Sequence, residues 1–265
     1  METNNSLYED LLDIFGGKKG ESLEEFSGGR TNVFQILLSL HDVKKAVRIT
    51  VSESQQERLQ SLEDVKVSVG SKKDFKDFRR VYVSDKLRKA EEVRKAESES
   101  DQRRGEELGY PDCCIENYQL SEASVPELRP VQNSFGPFPW QNNLLLKFHN
   151  WSWRVIYHFP CSYSCEKSVK LAERYLDVLE KYEPGLGDKC REKLSSLVIL
   201  NEDQEILFTP EFKRDGRTFE VENLIFSGSD TSKFSDAEEV RVESYDKVNV
   251  DGEMLENGHR AFLFN

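Results

Sequence analysis

Two short segments constrain this chain more than any other feature of its sequence. Pro111-Asp112-Cys113-Cys114 and Pro160-Cys161-Ser162-Tyr163-Ser164-Cys165 each place two cysteines where a proline-containing loop runs into a helical pattern. A cysteine at a helix start feels the positive end of the helix dipole and unsatisfied backbone N–H groups. Both favour the thiolate, the form that binds metals and attacks electrophiles. If the two helix starts face one another, four sulfurs meet in one small volume, and the fold must bring distant parts of the chain together.

Four thiolates around one ion or cluster make chemical sense, since structural zinc takes four such ligands and iron–sulfur clusters are held by cysteines. The spacing is not that of paired Cys-x-x-Cys motifs. Cys113 and Cys114 are adjacent, and neighbouring side chains diverge by about 100° on a helix. The expectation is therefore that both reach one ion only if Cys113 lies just outside the helix. Cys161 and Cys165 stand one helical turn apart and can share a face. His158, three residues before Cys161, joins them as a candidate ligand, or as a base beside a thiolate. Asp112 reads as the cap of a helix over Cys113–Leu120, and Ser162 or Ser164 as the cap of the next helix. Tyr110 and Asp112 are candidates for hydrogen bonding to the sulfurs or for acid–base work. Cysteine is also a common core residue, and Cys190, on a short helix over Asp188–Leu194, reads as packing. His149 reads as structural, and His41 and His259 have no local support.

The rest of the chain divides by composition into residues 1–108, 109–195 and 196–265, or forms one continuous domain. The first region alternates helices and strands: helices over Ser6–Phe15, Thr31–Leu40 and Glu53–Leu62, and strands at Ala46–Val51, Val65–Val69 and Arg80–Val83. This order predicts an α/β unit with a partly parallel sheet. Ser52-Glu53 and Ser84-Asp85 echo each other as a strand end, a capping serine and an acid in the first helical turn. Neither strand is followed by a glycine-rich phosphate fingerprint. Lys86 to Leu108 reads as one long solvated helix with i,i+4 ion pairs, ended by Gly109.

The middle region holds all five cysteines, all three tryptophans and seven of the eight prolines. Val125 to Trp140 is a proline-punctuated loop. Its aromatics, with Trp151, Trp153, Tyr157 and Phe159, can wall a pocket for a flat ligand or pack over the cysteines. An amphipathic helix follows over Ser164–Glu183. The last region predicts an antiparallel β structure: a hairpin of Leu197–Leu200 and Glu205–Phe208, then strands at Thr218–Phe226, Glu239–Glu243, Lys247–Val250 and Ala261–Phe264. Asp251-Gly252 and Asn257-Gly258 mark turns. The expected class is α+β, with a Cys-rich helical middle.

Composition excludes some functions. A net charge of −12 argues against general binding of nucleic acid, which needs a positive field, but leaves room for a local basic patch. No apolar run is long enough to span a membrane, and the polar N-terminus lacks a signal-peptide pattern. Five cysteines are an odd and low number for a disulfide scaffold, so a reducing, cytoplasmic setting is expected.

The segment Leu108-Gly109-Tyr110-Pro111-Asp112-Cys113-Cys114, together with Pro160-Cys161-Ser162-Tyr163-Ser164-Cys165, resembles the GYPxCC and PCSxxC signature of a mostly archaeal family of unknown function. The resemblance covers roughly Arg80 to Phe208. It implies that Cys113, Cys114, Cys161 and Cys165 are signature positions, and it transfers no activity. Three readings stand. One is a protein that holds zinc or an iron–sulfur cluster on the four cysteines. Another is a metal-free thiol enzyme with Cys113 or Cys161 as nucleophile. The third is a non-enzymatic binding or scaffold module whose acidic surface and β-rich end engage a partner. A small molecule or a protein is the expected partner.

Overall fold

A computed structural model of the chain describes residues 5–18, 20–22, 29–75, 77–120, 136–139, 153, 155–200, 206–209, 211–222, 225–227, 237–244, 246–255 and 260–264. The chain divides into two compact units, Met1–Gln119 with Lys170–Gly187, and Leu120–Val169 with Asp188–Asn265. No helix among the described residues is long and apolar enough to cross a membrane.

The first unit opens with helices α1 (Asn5–Ile14) and α2 (Arg30–Leu40), followed by strand β1 (Val47–Ser52), helix α3 (Glu53–Ser61) and the hairpin β2 (Lys66–Phe75) and β3 (Phe78–Ser84). The three strands form one sheet in the order β1-β3-β2, and every pairing is antiparallel. This corrects the expected partly parallel sheet. The β1–α3–β2 crossover does leave β1 and β2 running the same way. The hairpin then folds β3 into the gap between them, so the two strands never pair. Val47, Ile49, Val51, Val81 and Val83 are buried, and α2 and α3 pack against the sheet. Burying each such side chain is worth about 1.5–3 kcal/mol.

The other sheet face carries Arg48, Arg80 and Tyr82 and is crossed by helix α4 (Leu87–Glu99). Glu97 of α4 binds Arg48 at 3.0 Å and also takes hydrogen bonds from Arg80 and Tyr82. Ala90 and Val93 of α4 pack with Tyr82, Ala46 and Leu108. The expected single helix to Leu108 is broken at Ser100, which ends α4 in an extended conformation (φ −164°). Its side chain accepts from the Arg103 N–H at 3.0 Å and starts helix α5 (Asp101–Glu107). A serine whose hydroxyl satisfies a free helix N–H makes a restart cheap. The echoed serines also differ. Ser52 forms a full capping box with Gln55, whereas buried Ser84 donates to the Lys45 carbonyl at 2.7 Å and the next helix waits until Leu87.

Helix α6 (Asp112–Leu120) closes the first run of the chain, and helices α7 (Glu166–Leu179) and α8 (Leu186–Leu194) follow in sequence. The second unit is mostly β. Strands β4 (Ser196–Leu200), β5 (Ile206–Thr209), β8 (Ile225–Ser227) and β12 (Arg260–Phe264) form one sheet in the order β12-β4-β5-β8. Strands β6 (Glu211–Asp215), β7 (Thr218–Glu222), β9 (Glu239–Ser244), β10 (Lys247–Val250) and β11 (Glu253–Met254) form the other, in the order β11-β10-β9-β7-β6. All pairs are antiparallel, as expected for this region. Leu197, Ile199, Ala261 and Leu263 of the first sheet share one core with Phe219, Val221, Val240, Val242, Val248 and Val250 of the second. The expected strand over Thr218–Phe226 is two strands, β7 and β8, one in each sheet. Strand β6 has no strand pattern in the sequence, because Glu211-Phe212-Lys213-Arg214-Asp215 is mostly charged. Asp251 and Gly252, at φ 48° and 85°, form the tight turn of the β10–β11 hairpin, the conformation a two-residue hairpin turn requires. Asn257-Gly258 lies outside the described residues.

Candidate metal centre

The first cysteine pair is positioned by the end of α5. Gly109, at φ 75°, closes that helix. The Gly109 N–H donates to the Glu106 carbonyl and the Tyr110 N–H to the Gly105 carbonyl, each at 3.0 Å. This is the paired bonding of a glycine C-cap, and a positive φ is easy only for glycine. Tyr110 then packs on the Ala90, Val93 and Leu108 cluster. Pro111 follows, has no N–H to leave unpaired, and its carbonyl accepts from Cys114 and Ile115 at 2.8 and 3.1 Å. Pro111 therefore holds the cap position, and Asp112 is the first helical residue rather than the cap expected of it. A carboxylate there still favours the helix dipole. Gly105 lets α6 lie close to α5, since a Cβ at that position would stand 2.9 Å from Cγ1 of Ile115.

Both Cys113 and Cys114 belong to α6, with their sulfurs 3.9 Å apart. The expectation that Cys113 must lie outside the helix is thus corrected. In the first turn no preceding turn blocks the side-chain rotamers that interior residues avoid, so adjacent sulfurs can converge. Cys114 is buried and Cys113 half-buried.

The second pair is held by a turn and a ring cluster. The Cys165 N–H donates to the Ser162 carbonyl at 3.0 Å, and the Cys165 carbonyl accepts from Val169 at 3.1 Å. Cys165 is therefore itself at the cap position of α7. Neither Ser162 nor Ser164 stands at the cap position expected of it. The Ser162 hydroxyl accepts from the Ser164 N–H at 3.1 Å and so ties the turn internally. Between the two cysteines, Tyr163 is fully buried, its ring 5.6 Å from Phe138 and 5.0 Å from Phe262 of β12. The Phe138 N–H also binds the Leu263 carbonyl at 2.8 Å. Burial holds the Tyr163 phenol neutral well beyond its ordinary range. Tyr163 is an anchor that the sequence reading missed, although its place between two cysteines was a signal for it. Phe138 packs in the Tyr163 cluster, whereas Phe135, Trp140, Trp151 and most of the proline-rich loop lie outside the described residues.

The four sulfurs of Cys113, Cys114, Cys161 and Cys165 all lie within 4.8 Å of one another, and this group can hold a metal ion. None of the five cysteines is in a disulfide. His158 is not part of the group. It is buried, and its Nε2 meets the Ser168 hydroxyl at 2.9 Å. Cys190 is fully buried and also outside the group. His41 pairs with the Tyr182 hydroxyl at 2.7 Å; burial and then the charge of Lys181 lower its pKa. His149 and His259 lie outside the described residues. A second residue missed from sequence is Lys44. It is buried, with its ammonium 5.8 Å from the Tyr110 ring centre and 5.5 Å from that of Tyr175. These distances fit cation–π attraction.

Comparison of the chain with protein-family models, with curated proteins and with solved structures finds no match.

Proposed function

We propose that Cys113, Cys114, Cys161 and Cys165 bind one zinc ion in a closed tetrathiolate site whose role is to hold the fold. The observation that carries this is the mutual distance of at most 4.8 Å among the four sulfurs. Around a single ion with bonds of about 2.3 Å, tetrahedral geometry sets sulfurs roughly 3.8 Å apart. The 3.9 Å between Cys113 and Cys114 matches that edge. A cluster would place thiolates on different iron atoms around a larger core, so its sulfurs would have to spread. Four protein ligands leave no open position for water or substrate, which separates a structural zinc from a catalytic one. The resemblance to the archaeal family adds that these four positions are its signature. His158, bonded to Ser168, supports the segment before Cys161 without serving as a ligand.

The test is metal analysis of protein purified without air. The expected result is one zinc per chain, no iron and no visible colour. Replacing zinc by cobalt should give the absorption of a tetrahedral thiolate site. Cys114→Ser or Cys165→Ser should lose the metal. A folded, metal-free chain would count against the proposal, and iron with visible absorption would assign a cluster instead.

One observation favours a second reading, thiol chemistry without metal. Cys113 and Cys161 are half-buried while their partners are buried, so each pair has one cysteine partly open to solvent. Under this reading one of the two alkylates rapidly near neutral pH in protein as purified. Under the zinc reading the four resist alkylation until a chelator is added.

A further inference from the structure

Away from the cysteines, a groove of about 720 Å³ lies between helix α4 and the β2–β3 hairpin. Arg80, Arg88, Arg94, Lys95 and Arg104 line it, against only three carboxylates, Glu91, Glu92 and Glu97. The chain as a whole has the opposite balance, with a net charge of −12. Residues 66–104, which supply the lining, carry 13 lysines and arginines against 8 acids.

The carboxylates offset the bases that face the groove only in part, Glu97 through Arg80 and Glu92 through Arg88. Glu97 is held by Arg48 at 3.0 Å and Glu92 by Lys45 at 2.7 Å, and neither of those cations lines the groove. Their charge is balanced in part from outside. Arg94 makes no ion pair among the described residues, and Lys95 approaches Glu99 only to 3.9 Å. Arg88 and Arg104 each hold one acid, Glu92 at 3.2 Å and Asp101 at 2.8 Å, and a guanidinium has donors to spare beyond one such contact.

The floor is also kept open. Gly70 does not have the positive φ that would make glycine a backbone requirement. A Cβ there would stand 3.0 Å from the Arg80 carbonyl oxygen and 3.5 Å from the Tyr82 ring, so a side chain would crowd the groove wall at this lining position.

We infer that this groove binds a phosphate-bearing small molecule of nucleotide size, with its phosphates on Arg88, Arg94, Lys95 and Arg104. Guanidinium forks match phosphate oxygens in pairs, and several cations in one cleft suit a ligand of more than one negative charge. The volume falls in the range of small-molecule sites, about 300–1,000 Å³. A long polyanion fits less well, because its charge would run beyond the groove onto an acidic protein and be repelled. The inference does not depend on the metal reading.

The test is calorimetric titration of the full chain with adenosine diphosphate at low and at moderate salt, with inorganic pyrophosphate as competitor. Saturable binding is expected, displaced by pyrophosphate. Losing charge-assisted bonds should weaken it roughly tenfold or more in the Arg94→Ala/Lys95→Ala variant. Both side chains are exposed, so thermal melting of that variant should match the parent. Gly70→Leu should also weaken binding. No saturable binding, or equal binding by the double variant, overturns the inference. So does adenosine binding as tightly as the diphosphate. Tighter binding of a single-stranded RNA oligomer, with a salt dependence of several phosphates, overturns it in favour of a nucleic-acid surface.

Discussion

The cysteine centre and the α4 groove handle charge in opposite ways. The centre gathers four cysteine sulfurs, two of them on buried residues, in a group that can hold a cation. The groove spreads cations along a solvated cleft whose most exposed bases, such as Arg88 and Lys95, leave about four-fifths of their side chains in water. Charge that is buried and unbalanced costs several kcal/mol, whereas exposed charge is screened and worth little to folding. On the two proposals made above, charge is part of the fold in one place and free for a ligand in the other.

If the centre holds zinc as proposed, the strongest way to break this contrast is to remove that ion. Cys114→Ser or chelation should abolish zinc binding and cost several kcal/mol of stability, because metal affinity in a structural site is folding free energy. Circular dichroism melting with metal analysis checks it, and Cys190→Ser serves as the control that keeps its zinc. An unchanged melting curve for Cys114→Ser would erase the distinction between the two sites.

Next in size is the ring anchor. Tyr163→Ala empties a fully buried position and should cost roughly 3–5 kcal/mol by chemical denaturation. It should also loosen zinc, since Tyr163 holds the turn that carries Cys161 and Cys165. Full retention of zinc affinity in a destabilised variant would show that the turn needs no anchor.

Glu97 sharpens the comparison from the groove side. Burial opposes its charge, but the hydrogen bond from Tyr82 and the charges of Arg48 and Arg80 outweigh that and hold its pKa below the ordinary value. A depressed carboxylate pKa means that the folded chain binds fewer protons than the unfolded one. Its stabilisation is complete above about pH 4.5, the ordinary value, and is lost as pH falls through the folded value. Glu97→Gln should cost about 1–3 kcal/mol at neutral pH and flatten stability against pH in the acid range. A variant with the parent's pH profile would remove Glu97 as the hub of that face.

The smallest effect is expected at Arg94. Arg94→Ala alone should change stability by less than about 0.5 kcal/mol, as exposed positions do, while still weakening phosphate binding. A large loss of stability would make the groove's bases structural.

Much of the local architecture was legible. The period of Leu7, Leu11, Leu12 and Phe15 marks α1, Gly109 closes α5, and Asp251-Gly252 makes its turn, because each depends on residues within a few positions. The two serine–acid echoes show the limit. Ser52 caps a helix through its own neighbours, while Ser84 is drawn inward to the Lys45 carbonyl, a partner supplied by another part of the chain. The break at Ser100 was readable in principle, since Ser100-Asp101 is a cap signal inside a run of charges. Four of the five candidate ligands came together, and His158 went to Ser168 instead.

Sequence alone determined which residues can begin and end helices, which faces are apolar, and that Cys113, Cys114 and Cys165 sit at helix starts, because these follow from short-range sterics and hydrogen bonding. Tertiary structure decided that β3 lies between β1 and β2, that Glu97 finds three partners on one face, and that four sulfurs converge. Such choices balance the entropy of closing long loops against burial gained only when distant segments meet, and no short stretch of the chain encodes that balance.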